Sequence, residues 1–234
     1  MDQKIFEQFN NIKAGFTEKP DKSNLRRDEM VLKAASSGRF VVRPLLVHGK
    51  RIVKIDKAML KAPYVEISDC DGTVTDLAGV VLTSTHGDCI PVYAYDPVKK
   101  VIGLVHAGWK GTALGIAGCL IDSMRDEYGC RPKDIYAYIG PGIDKCHFEF
   151  GRAEAEEYFY SENPETKEYE CPHPSDPCKV LLDLKGINRY FLMQRGVMNI
   201  NISAECTYCN EAKYFSYRRS KDTGRMLAYI ERIL

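Results

Sequence analysis

Residues 83–112 read TSTHGDCIPVYAYDPVKKVIGLVHAGWKGT. The segment holds a cysteine, two of the five histidines and the only tryptophan of the chain. Two apolar runs, Ile90–Tyr95 and Val101–Val105, stand on either side of the turn-forming sequence DPVKK. Short apolar runs around such a turn predict a β-hairpin. The hairpin would place Cys89 and His106 at the same edge of a sheet.

The glycines that follow the second strand predict the start of a helix. We expect this helix to run from about Thr112 to Tyr128 and to end at Gly129, a residue suited to a left-handed terminus. The free N–H groups and the dipole at a helix start favour an anion such as phosphate, and Lys110 is adjacent. The glycines could equally serve only a tight turn.

Strands and helices alternate along the rest of the chain. Strands are predicted at Phe40–Val47 and Arg51–Ile55 around a turn that contains His48, and at Gly79–Thr83, Ile135–Ile139 and Asn199–Ser203; helices are predicted at Leu25–Ser36, Arg152–Tyr160 and Leu184–Arg195. This interleaving indicates an α/β (α+β) fold rather than a helical bundle or a β-sandwich. A chain of 234 residues can bury a substantial core, and we expect one domain over residues 1–234.

Composition excludes several classes of partner. The chain has 33 basic and 32 acidic residues, a balance that provides no overall field for nucleic acid or anionic lipid. Its first residues lack the apolar core of a signal peptide, and no run approaches the roughly 18 apolar residues that span a bilayer. We therefore expect a cytoplasmic protein with no nucleic-acid partner and no membrane partner.

Nine cysteines in such a chain are expected to be reduced thiols. Cys146 precedes His147, but neighbours on an extended chain point to opposite sides, so we interpret Cys146 as structural rather than catalytic. Cys206 and Cys209 form half of a zinc-ribbon motif, and no second Cys-x-x-Cys follows them. The stretch Cys171–Cys178 also offers thiols and a histidine, although its three prolines favour an exposed loop.

Aromatic and cationic residues alternate near the C-terminus. Residues 214–219 read YFSYRR, and Lys221 and Arg225 follow. Aromatic rings beside cations suit the stacking of a base and the binding of a phosphate. A solvated basic turn explains the same composition equally well.

Several of these segments together resemble the laccase-domain family. The resembling segments are LVHG at 46–49, HGDCIPV at 86–92, VHAGWKGT at 105–112, IGPGI at 139–143, CTYCN at 206–210, FSYRR at 215–219 and TGR at 223–225. Members of that family were first called multicopper polyphenol oxidoreductases and were later described as zinc-dependent purine nucleoside phosphorylases. The segments cover nearly the whole chain in the family's order. The resemblance implies a single layered domain, an α/β/β/α sandwich.

The resemblance also implies a site. It makes His48, Cys89 and His106 the catalytic metal ligands, a His₂Cys set that suits zinc and leaves a fourth position for water or substrate. Copper is the alternative metal. His86 stands three residues before Cys89, and it could orient a ligand or compete as one. Lys19 stands where the family has an arginine near the site, and a surface position is the preferred interpretation.

The activity implied by the resemblance is phosphorolysis. Phosphate would cleave adenosine, inosine, guanosine or methylthioadenosine to the free base and the sugar 1-phosphate, with adenosine deamination as a side activity. Arg218 or Lys110 would hold the phosphate. Two alternatives remain open: a cysteine hydrolase that uses Cys89 and His106, and a copper-dependent polyphenol oxidase, which would need a further histidine-rich copper cluster.

Overall fold

The computed structural model describes residues 4–19 and 37–233, and within them the fold is mixed α/β. The strands are β1 (Ile12–Phe16), β2 (Phe40–Pro44), β3 (Ile52–Lys54), β4 (Tyr64–Ile67), β5 (Gly72–Thr75), β6 (Val80–His86), β7 (Ile90–Asp96), β8 (Val101–Ala107), β9 (Tyr136–Ile139), β10 (Glu149–Gly151), β11 (Glu170–Pro172), β12 (Lys179–Leu182), β13 (Asn199–Ile202) and β14 (Met226–Arg232). The α-helices are α1 (Lys4–Glu7), α2 (Trp109–Ala113), α3 (Ile116–Tyr128), α4 (Arg152–Ala155) and α5 (Leu184–Gln194). Short 3₁₀ turns lie at Pro132–Asp134 and Pro164–Tyr169, and a π-helical turn at Glu156–Tyr160 continues α4.

Two large sheets pack face to face. The six-stranded sheet has the order β13-β9-β7-β8-β5-β3, and the five-stranded sheet has the order β1-β14-β6-β2-β4. A small three-stranded sheet, β10-β12-β11, lies apart from both orders. Tyr93 and Tyr95 of β7 point into the core between the large sheets, where they meet Leu82 and Ile230 of the other sheet. The tyrosines at alternate positions of one strand thus fill the space between the two sheets.

Helices α3 and α5 cover the opposite face of the six-stranded sheet. The intervening residues of β7, Val92 and Ala94, pack there with Leu120 and Ile187. Because both faces of the sheet are covered, every residue of β7 and of β8 is buried. The described residues therefore form a helical layer and two sheet layers. The helix predicted over Leu25–Ser36 lies outside the residues that the structure describes.

The predicted hairpin of β7 and β8 is confirmed. The two strands pair antiparallel, with Ile90 opposite Ala107 and Pro91 opposite His106. The side chain of Asp96 accepts hydrogen bonds from the backbone of Val98 and Lys99 and so stabilises the turn. Cys89, which precedes β7, consequently lies at the same sheet edge as His106.

Both strands predicted on either side of His48 are present in shorter form, as β2 and β3, but they do not pair with each other. Strand β2 pairs parallel with β4 and β6 in the five-stranded sheet, whereas β3 pairs parallel with β5 in the six-stranded sheet. His48 therefore lies on the connection that crosses from one sheet to the other. This crossing brings the His48 loop to the end of the β7–β8 hairpin.

The single helix predicted from about Thr112 to Tyr128 is two helices. The first, α2, spans only five residues, and Gly115 then adopts a left-handed conformation with φ of 73° before α3 begins. Gly129 ends α3 with φ of 67°, as predicted. In the part of the chain that is described, none of the helices has both the length and the apolar composition needed to cross a membrane.

Candidate functional site

Three of the residues singled out in the sequence come together where strands β7 and β8 of the six-stranded sheet meet the His48 loop. One donor atom each of His48, Cys89 and His106 lies within 4.8 Å of the other two. The rings of His48 and His106 are almost perpendicular, with centroids 5.0 Å apart. Two imidazole nitrogens and a thiol at this spacing form a donor set that a transition metal such as zinc accepts.

Asp71 orients this group, and sequence reasoning missed it. Its Oδ1 lies 3.1 Å from Nδ1 of His106, so the other ring nitrogen of His106 is left for the site. Asp71 is fully buried at the start of β5. A hydrogen bond of this kind fixes the ring and its tautomer in metal sites. A single aspartate in a turn has no spacing pattern that could have indicated the role.

The same carboxylate holds the His48 loop. It accepts hydrogen bonds from the backbone amides of Val47 at 3.2 Å, His48 at 2.9 Å and Gly49 at 2.7 Å. His48 itself has φ of 59°, which is an uncommon conformation for a residue with a side chain. The three bonds to Asp71 stabilise this conformation and keep the exposed His48 ring beside Cys89.

Two glycines let the start of α2 approach the site. A Cβ atom on Gly108 would lie 3.0 Å from Cδ2 of His48 and 3.2 Å from Sγ of Cys89. A Cβ atom on Gly111 would lie 2.9 Å from the carbonyl oxygen of Gly49. The two glycines therefore permit this close approach, and the anion site at the helix start stays a prediction.

His86 uses both ring nitrogens on the protein itself. Nε2 lies 2.6 Å from Oγ of Ser84, and Nδ1 lies 2.9 Å from the carbonyl oxygen of Cys89. Burial, followed by the charge of His106, holds the pKa of His86 well below its usual range. His86 is therefore a neutral partner of the Cys89 backbone and not a competing ligand in this geometry.

Cys89 and His106 change each other's pKa in opposite directions. Burial raises the pKa of the Cys89 thiol, but the charge and hydrogen bond of His106, helped by His48, outweigh burial and bring the pKa to about 6. Burial lowers the pKa of His106, but Cys89 and Asp71 outweigh it and bring the pKa to about 9. At neutral pH, Cys89 and His106 therefore form a thiolate–imidazolium pair. Such a pair can bind a metal after losing one proton, or it can act as a nucleophile.

A pocket of about 270 Å³ opens beside the three donors. It is lined by His48, Gly87, Asp88, Cys89, Trp109, Ile143, Phe148, Leu184, Tyr217 and Arg218. The pocket thus combines two metal donors with three aromatic side chains and one cation. Its volume is near the lower end of the range for small-molecule sites, about 300–1,000 Å³.

Arg218 is the predicted phosphate residue that the structure places at this pocket. Its guanidinium lies 5.2 Å from the ring centroid of Phe148 and donates to the carbonyl oxygens of His147 at 3.1 Å and Glu149 at 3.3 Å. Lys110 is exposed, with Nζ 5.5 Å from the ring centroid of Trp109, and is not among the residues that line the pocket. The Lys110 assignment remains a prediction.

Asp88 links the pocket to the C-terminal segment. Sequence reasoning did not identify this role. Its carboxylate accepts hydrogen bonds from Oγ1 of Thr207 at 2.6 Å, from Oγ of Ser216 at 3.0 Å and from the amide of Arg218 at 2.7 Å. Asp88 is buried and has φ of 93°. The residue next to Cys89 therefore anchors the backbone that carries Arg218.

Two weaker sequence candidates lie elsewhere. Nζ of Lys19 donates to the carbonyl oxygen of Glu211 at 2.8 Å and lies over the ring of Phe215, and Lys19 is not among the pocket residues. His173, between Cys171 and Cys178, accepts two backbone amides at Nδ1 and pairs with Glu149 at 3.3 Å through Nε2. Both ring nitrogens of His173 thus stabilise its loop.

Several known proteins are similar to this chain. The family described as multi-copper polyphenol oxidoreductase laccase matches residues 2–233. The chain is 38% identical over 196 residues to the purine nucleoside phosphorylase YlmD of Geobacillus stearothermophilus, covering 80% of this chain and 70% of that protein. It is 36% identical over 168 residues to the purine nucleoside phosphorylase LACC1 of Homo sapiens, covering 68% of this chain but only 37% of the human protein. The crystal structure of the hypothetical protein YfiH of Bacillus licheniformis superposes with a TM-score of 0.84 at 29% identity, covering 97% of this chain and 94% of that one.

Proposed function

Since the chain belongs to the multi-copper polyphenol oxidoreductase laccase family, we propose that it shares the activity for which similar proteins are named. YlmD and LACC1, two proteins similar to this chain, are named purine nucleoside phosphorylases. The proposed activity is therefore that of a zinc-dependent purine nucleoside phosphorylase. The observation that carries the proposal is the convergence of metal donors, aromatic walls and a cation in one pocket. A nucleoside and phosphate need all three: a group that polarises the substrate, a surface for the base and a positive charge for the anion.

His48, Cys89 and His106 are proposed to hold the metal. The fit is supported by the mutual spacing of the donor atoms and by Asp71, which fixes His106 in the orientation that metal ligation requires. Gly108 leaves room beside the donors that a side chain would fill. When bound there, zinc would polarise the purine or the water beside it.

The pocket walls are proposed to position the two substrates. Trp109, Phe148 and Tyr217 offer aromatic surface for the purine, and Arg218 offers a planar cation for the phosphate. In the reaction, a phosphate oxygen forms the new bond to the anomeric carbon of the sugar. The bond from that carbon to the purine nitrogen breaks, and its electron pair leaves with the base. Positioning both reactants in one pocket is a large part of such catalysis.

Adenosine, inosine, guanosine and methylthioadenosine are the proposed substrates, and adenosine deamination is a proposed side activity. These nucleosides share the purine ring that the aromatic walls of the pocket would contact. Lys110, on the exposed side of Trp109, is retained as a second proposed phosphate contact because its cation stands at the end of α2 nearest the pocket.

Zinc is favoured over copper by the surroundings of the donors. A blue-copper site adds a weak axial ligand, usually methionine, to two histidines and a cysteine. No methionine is among the residues that line the pocket. His86 and His173, two of the remaining histidines, use both ring nitrogens on protein partners. A second, histidine-rich copper cluster therefore finds little support in the described residues.

A cysteine hydrolase is the second candidate, and the thiolate–imidazolium pair favours it. A Cys89 pKa of about 6 gives a thiolate at neutral pH beside a protonated His106. However, a hydrolase of this type has no use for His48, whose loop Asp71 holds against both residues. The three-donor arrangement therefore supports the metal enzyme over the hydrolase.

The test is the dependence of base release on phosphate. The purified chain is incubated with inosine, with and without phosphate, and hypoxanthine and ribose 1-phosphate are quantified by chromatography. We expect both products in equal amounts and only in the presence of phosphate. Equal release of base without phosphate would identify a hydrolase instead. Chelator treatment followed by zinc or copper addition then shows which metal restores turnover.

A further inference from the structure

A second cluster of metal-ligating side chains lies outside the pocket. The donor atoms of Cys146, His147, Cys206 and Cys209 all lie within 4.8 Å of one another. Nδ1 of His147 is 3.2 Å from Sγ of Cys146 and 3.3 Å from Sγ of Cys209, and the two sulfurs are 3.5 Å apart. The cluster joins the turn after β9 to the turn after β13.

These separations match the edges of a tetrahedron around zinc. With Zn–S bonds of about 2.3 Å and Zn–N bonds of about 2.0–2.1 Å, tetrahedral donors stand roughly 3.6 Å apart for sulfur and nitrogen and roughly 3.8 Å apart for two sulfurs. The observed 3.2–3.5 Å is within a few tenths of an ångström of these values. These three distances join Cys146, His147 and Cys209, and the sulfur of Cys206 lies within 4.8 Å of each of their donor atoms.

We propose that Cys146, His147, Cys206 and Cys209 form a second metal site, a Cys₃His site that takes zinc in a structural role. Four protein ligands close the coordination of the ion and leave no position for substrate, unlike the three donors at the pocket. The Cys206-x-x-Cys209 spacing is that of structural zinc sites, and the missing half is supplied by two adjacent residues about sixty positions earlier in the chain.

Backbone amides surround the sulfur of Cys206, one of the four residues. The amide of Asp144 donates to Sγ of Cys206 at 3.4 Å, and the amides of Tyr208 and Cys209 also face this sulfur. Hydrogen bonds of this kind stabilise a thiolate. The His147 ring stacks on Tyr208 with centroids 4.0 Å apart and planes 21° apart, so its orientation is fixed before any ion binds.

A buried lysine already draws the same two turns together. Nζ of Lys185 contacts Oδ2 of Asp144 at 3.1 Å and the carbonyl oxygens of Ser203 at 3.0 Å and Glu205 at 2.9 Å. Asp144 precedes the first pair of ligands, and Glu205 precedes the second. The turns are therefore positioned by the protein, and the ion would lock an arrangement that exists without it.

The site would stabilise one wall of the pocket. His147 supplies the carbonyl oxygen to which Arg218 donates, and Thr207, between the two cysteines of the second pair, donates to Asp88. Both contacts end at residues that line the pocket. Because ligand binding to a folded site adds directly to folding free energy, loss of the ion is expected to lower thermal stability and to loosen Arg218.

Metal counting tests the proposal without reference to catalysis. Wild type, Cys89→Ser, Cys209→Ser and Cys178→Ser chains are purified with zinc, and bound metal is measured by mass spectrometry after gel filtration. We expect two ions for wild type, one for each of Cys89→Ser and Cys209→Ser, and two for the control Cys178→Ser, whose exposed thiol lies outside both clusters. A wild type with one ion that only Cys89→Ser removes would overturn the proposal.

Cobalt loading covers the case in which Cys209→Ser fails to fold. In Cys89→Ser the pocket site has no thiolate, so near-ultraviolet thiolate-to-cobalt absorption must come from other cysteines. We expect this absorption, and we expect zinc to abolish it; its absence would count against the site.

Thiol titration of the denatured, unreduced wild type should find all nine cysteines free. Two fewer, with peptide mass spectrometry joining Cys146 to Cys209, would indicate a disulfide in place of the metal site.

Discussion

Oδ1 of Asp71 lies 3.1 Å from Nδ1 of His106 while the same carboxylate receives the amides of the His48 loop. One buried side chain therefore fixes two of the three donors, His106 in strand β8 and His48 on the connection between the two large sheets. Burial raises the pKa of Asp71, but the hydrogen bonds from His106 and from the backbone outweigh burial and lower it below its usual value. Asp71 is thus a carboxylate across the physiological range.

Replacing Asp71 by asparagine is expected to weaken metal binding at the pocket by about 10–100-fold, the usual cost of losing such a partner. The neutral amide cannot accept four hydrogen bonds or balance a charged ring, so we also expect a loss of stability of about 1–3 kcal/mol. Competition with a chelator and thermal melting measure the two effects. The control is Asp69→Asn, an exposed neighbour with a conformation that asparagine tolerates. Similar results for both variants would contradict the role of Asp71.

Cys89→Ser and His48→Ala are each expected to lose the pocket metal and turnover together. The reason is that each removes one of three donors, whereas a hydrolase would depend on Cys89 and His106 alone. Metal content and phosphorolysis are measured on the same samples, with chelated and zinc-restored wild type as controls. Full activity of verified metal-free wild type, or a trapped acyl-enzyme on Cys89, would instead establish the hydrolase.

The thiol of Cys89 is expected to alkylate in metal-free protein with a midpoint near pH 6. The His106 cation stabilises the thiolate, so the reactive form is present above this pH and is lost below it. In His106→Ala we expect the midpoint to move upward, towards or beyond the about 8.5 of a free cysteine. Peptide mass spectrometry after iodoacetamide treatment at a series of pH values follows the Cys89 peptide. Zinc-loaded protein should resist alkylation, and equal rates with and without zinc would argue against Cys89 as a ligand.

Arg218→Ala is expected to raise the KM for phosphate about 10-fold or more, since a charged hydrogen bond contributes about 1.5–3 kcal/mol. The melting temperature should change little, because an exposed cation contributes little to folding. Lys221→Ala is the matched control, an exposed cation of the same segment that does not line the pocket. Unchanged phosphate kinetics together with a large loss of stability would make Arg218 a structural residue.

Gly108→Ala is expected to reduce metal affinity at the pocket with little change in folding. The backbone at Gly108 has φ of −71°, which alanine adopts freely, so the effect must come from the new methyl group beside His48 and Cys89. The control is Gly118→Ala in α3, where the atoms nearest to a Cβ atom belong to the end of the flexible Arg195 side chain. Chelator competition compares the two variants, and equal affinities would show that the methyl group is accommodated.

The sequence predicted local structure better than connections between sheets. The β7–β8 hairpin follows from two apolar runs and a turn, so Cys89 and His106 could be placed together at once. The position of His48 depends on how β2 and β3 distribute between two sheets, which no local pattern encodes. The sequence therefore predicted the two strands around His48 but not the sheets that they join. Asp71 and Asp88 were missed because isolated polar residues in turns carry no periodic pattern.

The interpretation of Cys146 as a structural residue stays a prediction, but the backbone conformation from which it was argued was wrong. It assumed an extended chain, but the amides of His147 and Phe148 donate to the carbonyl oxygen of Asp144 and form a turn. The turn brings the two neighbouring side chains to the same side, with 3.2 Å between sulfur and nitrogen. Half of a zinc motif at Cys206 was weak evidence because the other half lies distant in sequence and meets it only in the folded chain.

The crossing of the His48 loop between the sheets makes metal occupancy a reporter of completed folding. A chain that has formed only the β7–β8 hairpin has brought together two of the three pocket donors, Cys89 and His106. Two donors bind zinc with much lower affinity than three. The third donor arrives only after β2 and β3 have joined their separate sheets. With the proposed pocket metal, nascent or damaged copies would therefore be metal-poor, and zinc added to a freshly purified preparation would bind at the pocket only in those chains that had finished assembly.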